Sequence, residues 1–574
     1  MGEKKLTGYP SIDKPWLKYY SEEAANAPLP EGSMYDYMTA SNAARLDETA
    51  LNFFGRKITY RKLISEIDCA ADAFYKIGVR RGCSVLAFAL NTPECIASIY
   101  ALNRLGAVID FQYVNITSKE VAESLRSVNT RFVMTADIFL PLIEDALKSV
   151  DLINSVQVIV APAARSLSLW KRLFNPKKCK RSRSSNYFYY DDIFRMEVSR
   201  CDLPMGETEA PALIVHTSGT TGVPKGVLLS NKNVNAVAVE YKNSLETLKP
   251  GDTILNIAPP FVAFGICLAI HVPLCLGLQL CLSPSPEPET NGKMFALYRP
   301  AHFLGGPAHI QNIVQVQKSK KQNLSFIKTL GYGGETISTP TAGQYITFFR
   351  HNGADITHLC PGYGMTEFGG TTVTTGSTVW KEGSVGIPLC LANVKIVDLD
   401  TCKELPYGSK GEIWMSSPSL MLGYYKNPDE DSKVLIKDEN GTRWMRTGDI
   451  GEIDQDGFVF LRGRIKRIYL TRGADNAVYK LFPDYIERII RECPQVSECA
   501  VVATSEDGTF YEPVAFAAVQ EGGASRIQEY CRDHLPEHMQ PKEVRILDHI
   551  PTTTTGKADY QLLESIIRGK TMKT

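Results

Sequence analysis

A chain of 574 residues, 44% hydrophobic and 22% charged, is too long for one core and ordinary in composition for a soluble globular protein of two or more domains. Its 63 lysines and arginines balance 63 aspartates and glutamates, so no global field favours nucleic acid or an anionic membrane. The fourteen cysteines include no Cys-x-x-Cys pair and read as reduced core residues of a cytoplasmic protein, which excludes a disulfide framework.

The N-terminus lacks the apolar run of a signal peptide. Residues 11–31 are aromatic, then rich in Ala and Pro, and read as an arm packed on the body. A helix is predicted from Arg61, with Leu63, Ile64, Ile67, Ala70, Phe74 and Ile77 on one face and Gly78 as its stop. Residues 84–90 are strand-like. Thr92-Pro93-Glu94 opens a second helix, with a hydroxyl cap and a proline in the first turn. Thr117-Ser-Lys-Glu120 is a capping-box pattern ahead of a third, which leads to a strand over 131–135. This alternation argues for an α/β fold with a mostly parallel sheet covered on both faces.

Residues 163–190 interrupt it. Seven cations (Lys171, Arg172, Lys177, Lys178, Lys180, Arg181 and Arg183) are interleaved there with Leu169, Trp170, Leu173 and Phe174. Such a stretch is either a solvated insertion or a weak peripheral membrane contact with a basic rim.

Next comes His216-Thr-Ser-Gly-Thr-Thr-Gly-Val-Pro-Lys-Gly-Val227, between two apolar runs of strand type. Its glycines let backbone amides approach an anion closely, the hydroxyls of Thr217, Ser218, Thr220 and Thr221 add donors, and Lys225 supplies a mobile charge. That chemistry suits a polyphosphate. The Walker A pattern differs, because it needs Gly-Lys-Ser/Thr opening a helix. Residues 254–282 contain no charged side chain and are long enough to span a bilayer, but Pro259, Pro260 and Pro273 break the run, so a buried loop and helix is expected. Further on stand Gly331-Tyr-Gly-Gly-Glu335, Pro361-Gly-Tyr-Gly-Met-Thr-Glu367, Arg446-Thr-Gly-Asp449, Gly463-Arg-Ile-Lys466 and Pro551-Thr-Thr-Thr-Thr-Gly-Lys557. The glycines beside Tyr363 would let its ring lie flat against a planar base, Glu367 could ligate a hard Mg²⁺, and a turn carboxylate such as Asp449 could accept ribose hydroxyls.

In this order, from about Met34 to about Ile567, these motifs resemble the adenylate-forming superfamily and in particular stand-alone acyl-CoA synthetases that act on fatty or aryl acids. The resemblance implies a large N-terminal adenylation domain of layered α/β subdomains, residues 1–465, and a small mobile α+β domain, residues 466–574, rotating about Lys466. It implies ATP, Mg²⁺ and coenzyme A as cofactors and a small-molecule carboxylic acid as substrate. Thr217, Ser218, Gly219, Thr220, Thr221, Gly222 and Lys225 would hold the phosphates; Gly334, Glu335, Gly362 and Tyr363 would border the base. Asp449 and Arg464 would complete the nucleotide cradle, with Arg472 and Gly473 on the face that receives the thiol. Thr366, Glu367 and Lys557 would be catalytic, Glu367 also binding the metal. An ammonium brought in at Lys557 could bridge the substrate carboxylate and the α-phosphate.

Three positions depart from the family pattern. Val262 stands where these enzymes usually have the histidine of Pro-x-Phe-His, the loop over 474–482 is longer, and Tyr560 replaces an arginine after the catalytic lysine. The adenylation set is intact and the thiolation set altered. Two other readings therefore stay open: an acyl-AMP ligase that charges a separate carrier protein, and an inactive nucleotide-binding regulator.

Overall fold

The computed structural model describes the chain except residues 1–5, 129, 163–164, 168–180, 182–184, 197–202, 218–223, 286, 321–322, 506–507, 520–522, 553–557 and 569–574. Local signals set its first helices. Helix Tyr60–Lys76 starts where the Thr59 hydroxyl accepts from the Lys62 amide, and its Leu63, Ile67, Ala70 and Phe74 are buried. Thr92 caps Pro93–Arg104 in the same way, with proline in the first turn; the helix is buried along nearly its whole length. At Ser118–Val128 the box closes in both directions, Thr117 N–H to Glu120 Oε2 at 2.7 Å and Glu120 N–H to Thr117 Oγ1 at 3.3 Å.

Two large sheets organise the N-terminal part. One has eight strands, in the order Gly423–Tyr424, Gly226–Ser230, Pro211–His216, Val108–Phe111, Ser84–Phe88, Phe132–Ala136, Gln157–Ala161 and Tyr187–Tyr189. The other has nine: Ile387–Pro388, Gly370–Thr374, Cys360–Met365, Thr329–Gly333, His302–Gly305, Thr253–Asn256, Gln279–Leu282, Thr49–Phe53 and Arg56–Thr59. Both are parallel at the centre, as crossover helices on both faces require; the nine-stranded sheet is antiparallel at both ends, the eight-stranded one only at its Gly423–Tyr424 end. Helices Tyr60–Lys76, Pro93–Arg104 and Asn231–Ser244 feed one continuous apolar core shared by residues of both sheets. A five-stranded antiparallel sheet follows, ending in the hairpin Arg443–Ile453 / Val459–Arg464. Trp16, fully buried against Ile387 and Phe458, ties the N-terminal arm to this region.

The uncharged stretch is a buried wall. It contributes strands Thr253–Asn256 and Gln279–Leu282 and, between them, a π-helix Phe264–His271 running into Val272–Cys275. A Cβ on Gly265 would lie 1.7 Å from the Pro259 carbonyl oxygen, so only glycine lets the helix start against the proline turn. Among the described residues no helix is long and apolar enough to cross a membrane. The described cysteines are free and most are buried, but Cys402 is exposed.

The C-terminal part is small and α+β. Strands Val496–Thr504, Glu512–Val519 and Glu543–Ile546 form a sheet, with helices Pro483–Glu492 and Ala524–His534 packed on one face. The sequence predicts a long loop over 474–482; the structure corrects this. Val478–Leu481 is a strand paired with Tyr469–Arg472, so the extra residues build a two-stranded ribbon and its turn. Alternation explains it: Thr471 and Leu481 face inward, and Leu470, Arg472, Val478 and Lys480 face out.

Candidate active site

Strands Pro211–His216 and Gly226–Ser230 form an antiparallel hairpin whose neck is closed twice. Thr217 N–H donates to the Lys225 carbonyl at 2.9 Å, and Lys225 N–H donates to Thr217 Oγ1 at 3.1 Å. Below the neck, His216 Nε2 lies 2.8 Å from Asp110 Oδ1, and the His216 carbonyl accepts from the Tyr113 hydroxyl at 3.0 Å. The loop is thus held from a rigid base. Ser218, Gly219, Thr220, Thr221 and Gly222 lie outside the described residues.

Lys225 Nζ sits 2.5 Å from Glu430 Oε2 and 4.8 Å from the centre of the Tyr424 ring. Lys225 and Lys433 together pull the Glu430 carboxyl down to about 2. Tyr424 lies on the edge strand paired with Val227 and donates its hydroxyl to Glu367 Oε1 at 2.7 Å. One ring therefore links the phosphate-side cation to the candidate metal carboxylate.

Glu367 and Thr366 occupy a short 3-10 turn, Thr366–Phe368, that joins strands Cys360–Met365 and Gly370–Thr374. The hairpin is tight: a Cβ on Gly364 would fall 2.0 Å from the Gly370 carbonyl oxygen. Glu367 is 6% exposed, whereas an ordinary surface glutamate is solvated. Its Oε2 accepts no hydrogen bond among the described residues, and no three-residue cluster of metal-ligating side chains occurs among them. One hard oxygen beside a phosphate loop fits Mg²⁺, which takes one or two carboxylates and completes its shell with phosphate oxygens and water.

On the base and ribose side, Gly362 pairs with Gly333, next to the turn at Gly334, where φ is +87°. Exposed Glu335 accepts the Ala558 amide at 3.1 Å, so the residue after Lys557 rests on the Gly-Gly-Glu turn. Lys557 itself lies outside the described residues. Tyr363 is 8% exposed, and its hydroxyl donates to Asp449 Oδ2 at 2.8 Å. Asp449 faces Arg464 across the hairpin, with Oδ1 3.0 Å from the Arg464 Nε. Tyr363, Asp449 and Arg464 come together as one bonded group.

Arg472 and Gly473 stand apart from it, on the ribbon. The Arg472 guanidinium binds Asn476 Oδ1 at 2.8 Å and lies 4.3 Å from the Phe510 ring. Between the two parts, the Arg464 amide donates to Asp484 Oδ2 at 2.8 Å, beside the turn Ile465–Arg467. Tyr560 also finds its reason here. Its hydroxyl is 3.1 Å from Glu487 Oε1 and its ring 4.1 Å from the Arg467 guanidinium, while Arg467 and Arg491 both pair with Glu487. An arginine at 560 would crowd a third cation onto one buried carboxylate.

The AMP-binding enzyme model matches residues 38–425, and the model of the AMP-binding enzyme C-terminal domain matches residues 485–557. The chain belongs to the AMP-binding enzyme family. Members are ATP-dependent, AMP-forming ligases. The chain is 25% identical over 560 residues to the long-chain-fatty-acid–CoA ligase of Bacillus subtilis, covering 95% of this chain and 96% of that one. Among solved structures it resembles the anthranilate CoA ligase AuaEII in complex with anthranoyl-AMP, with a TM-score of 0.79, 21% identity, and coverage of 95% and 98%. It also resembles ATP-bound MatB from Rhodopseudomonas palustris, with a TM-score of 0.78, 21% identity, and coverage of 94% and 100%.

Sequence reasoning missed Tyr424 and Glu430. They lie 57 and 205 residues from the groups they hold, and no local pattern marks them. Of the seven cations read between 171 and 183, Arg181 is described, and it pairs with Asp192 at 2.9 Å. The others lie outside the described residues.

Proposed function

We propose that this AMP-binding enzyme joins a carboxylic acid, fatty or aryl, to coenzyme A by way of an acyl-adenylate. The observation that carries the reading is the bonded run from Lys225 through Tyr424 to Glu367, set beside the group Tyr363, Asp449 and Arg464. In this reading Lys225 would be the phosphate cation, Glu367 the metal carboxylate and Asp449 the ribose acceptor.

In the first half-reaction a carboxylate oxygen attacks the α-phosphorus of ATP, the bond to the β-phosphate oxygen breaks, and pyrophosphate leaves. Lys225 and the 217–222 loop would neutralise the phosphates. Lys557 would offset the charge that builds as two anions meet, in a site where fixed charges act more strongly than in water. Glu367, with Thr366 beside it, would hold Mg²⁺, which supplies Lewis-acid polarisation of phosphate oxygens. Asp449 would exchange its present partners for ribose hydroxyls, and Gly334, Glu335, Gly362 and Tyr363 would frame the base. In the second half-reaction the thiol sulfur attacks the acyl carbon, its proton passes to solvent, and AMP leaves. Arg472 and Gly473 would face the incoming thiol.

Placing the domain boundary between residues 465 and 466, with Lys466 as pivot, belongs to the same proposal, as does a cytoplasmic location. A peripheral membrane contact at 171–183 and a carrier protein as acceptor are readings of the sequence alone. Acid-dependent exchange of labelled pyrophosphate into ATP tests the first half. Product analysis with millimolar coenzyme A tests the second. Acyl-adenylate without acyl-CoA would transfer the reading to a carrier-protein ligase, and absence of exchange with every acid would remove it.

A further inference from the structure

The segment Met421-Leu-Gly-Tyr424 joins the phosphate hairpin to the turn that carries Glu367. On one side Gly423 and Tyr424 pair with Leu228 and Val227, on the strand that follows the phosphate loop. On the other, the Met421 amide donates to the Glu367 carbonyl at 2.7 Å. Helix Pro428–Val434 closes the segment from outside, where Asp431 Oδ1 accepts the Tyr424 amide at 2.6 Å. The backbone of Tyr424 is thus fixed on three sides, and its ring is buried with Lys225 Nζ 4.8 Å from the ring centre.

That anchoring decides what the hydroxyl can do. Burial, and the Glu367 carboxylate beside it, push the Tyr424 phenol well above its usual range, so the hydroxyl keeps its proton and donates. Its acceptor is Glu367 Oε1, at 2.7 Å. One carboxylate oxygen is therefore engaged. The other, Oε2, accepts no hydrogen bond among the described residues and is the oxygen left for a cation.

Mg²⁺ and Ca²⁺ ask different things of a carboxylate. Mg²⁺ sits in a strict octahedron at about 2.1 Å, takes single carboxylate oxygens and fills its shell with phosphate oxygens and water. Ca²⁺ gathers roughly six to eight oxygens at about 2.4 Å and readily takes a carboxylate by both. Among the described residues no group of three or more metal-ligating side chains is present, so the number of oxygens Glu367 offers weighs heavily. Resting on the ligase reading above, in which Glu367 holds the metal, we propose that Tyr424 is a positioning residue that presents Glu367 through one oxygen and thereby selects Mg²⁺ over Ca²⁺. A merely structural bond predicts something else: its loss would weaken ATP binding alike with either metal.

The test is calorimetric binding of ATP to the full-length enzyme, without acid so that nothing turns over, in Mg²⁺ and in Ca²⁺. Wild type should bind ATP about tenfold more tightly with Mg²⁺. Tyr424→Phe keeps the ring beside Lys225 and returns Oε1 to the cation, so the preference should fall to about twofold, chiefly by a tighter Ca²⁺ complex. Tyr424→Met fills the same space without a donor and serves if the phenylalanine variant does not fold. With Mn²⁺ as the bound ion, its electron spin resonance line should change shape in the variant as a second oxygen enters the shell. Equal wild-type affinity with Mg²⁺ and Ca²⁺ overturns the selection and leaves the ligase reading intact. So does an equal loss with both metals in the variants, or an unchanged Mn²⁺ line. ATP binding that needs no divalent ion overturns the placing of the metal on Glu367, and this inference with it. No ATP binding under any condition overturns the ligase reading as well.

Discussion

The proposed nucleotide cradle and the C-terminal ribbon treat their polar groups in opposite ways. In the cradle, Glu367 and Asp449 are at most 8% exposed, and each is held by a tyrosine from a distant part of the chain, Tyr424 for one and Tyr363 for the other, Asp449 also pairing with Arg464 across its hairpin. On the ribbon, Arg472 and Lys480 are exposed, and Arg472 bonds to a neighbour four residues away and lies over the Phe510 ring. A site that must stabilise a transition state gains from groups fixed in place before the substrate arrives. If the ribbon meets a thiol carrier only in the second half-reaction, as proposed, it has no such need. Under the proposed function, position in the fold would separate groups for chemistry from groups for encounter.

The largest effect tests whether the C-terminal part belongs to the first half-reaction at all. Lys557→Ala should cut acid-dependent pyrophosphate exchange about 100-fold with ATP binding nearly unchanged. Exchange near the wild-type rate would confine that part to thiol transfer. Next comes the cradle. Asp449→Asn removes the charge between Tyr363 and Arg464 and should raise the KM for ATP about tenfold. An unchanged KM would make Asp449 a structural group only. On the ribbon, Lys480→Glu should raise the KM for coenzyme A about fivefold and leave exchange alone, since exchange needs no thiol. A change in exchange would erase the division drawn here. The smallest effect concerns the ion pair that occupies Lys225. Glu430→Gln frees the lysine, so the KM for ATP should fall about twofold at low salt, and less at high salt, where the pair is screened. A rise would mean that Glu430 positions the lysine rather than competing for it.

How much was legible depended on whether a signal was local. Thr59, Thr92 and the Thr117–Glu120 box each announce a helix within four residues, because capping is a bond between near neighbours. The two strand-type runs flanking residues 216–227 were readable for the same reason. The ribbon was not: its second strand is four residues long and follows a Gly-Ala-Asp-Asn turn, so its alternation is too brief to outweigh the loop composition. The roles of Tyr424 and Glu430 were invisible because sheet pairing and a helix start, not sequence proximity, bring them to the site. Burial of Glu367 was equally hidden. Its motif named the residue, but only the hairpin turn fixes where the carboxylate sits.

Gly265 has a bearing on how this enzyme can change. With a Pro259 carbonyl oxygen 1.7 Å from where a Cβ would stand, the position admits no substitution without moving the proline turn. The π-helix is therefore pinned at its first turn. Mutational drift and laboratory libraries alike must work further along that helix, at Leu268 or beyond it at Val272. A library that randomises 265 fills with unfolded clones; one that holds it as glycine keeps the fold and samples the rest of the wall.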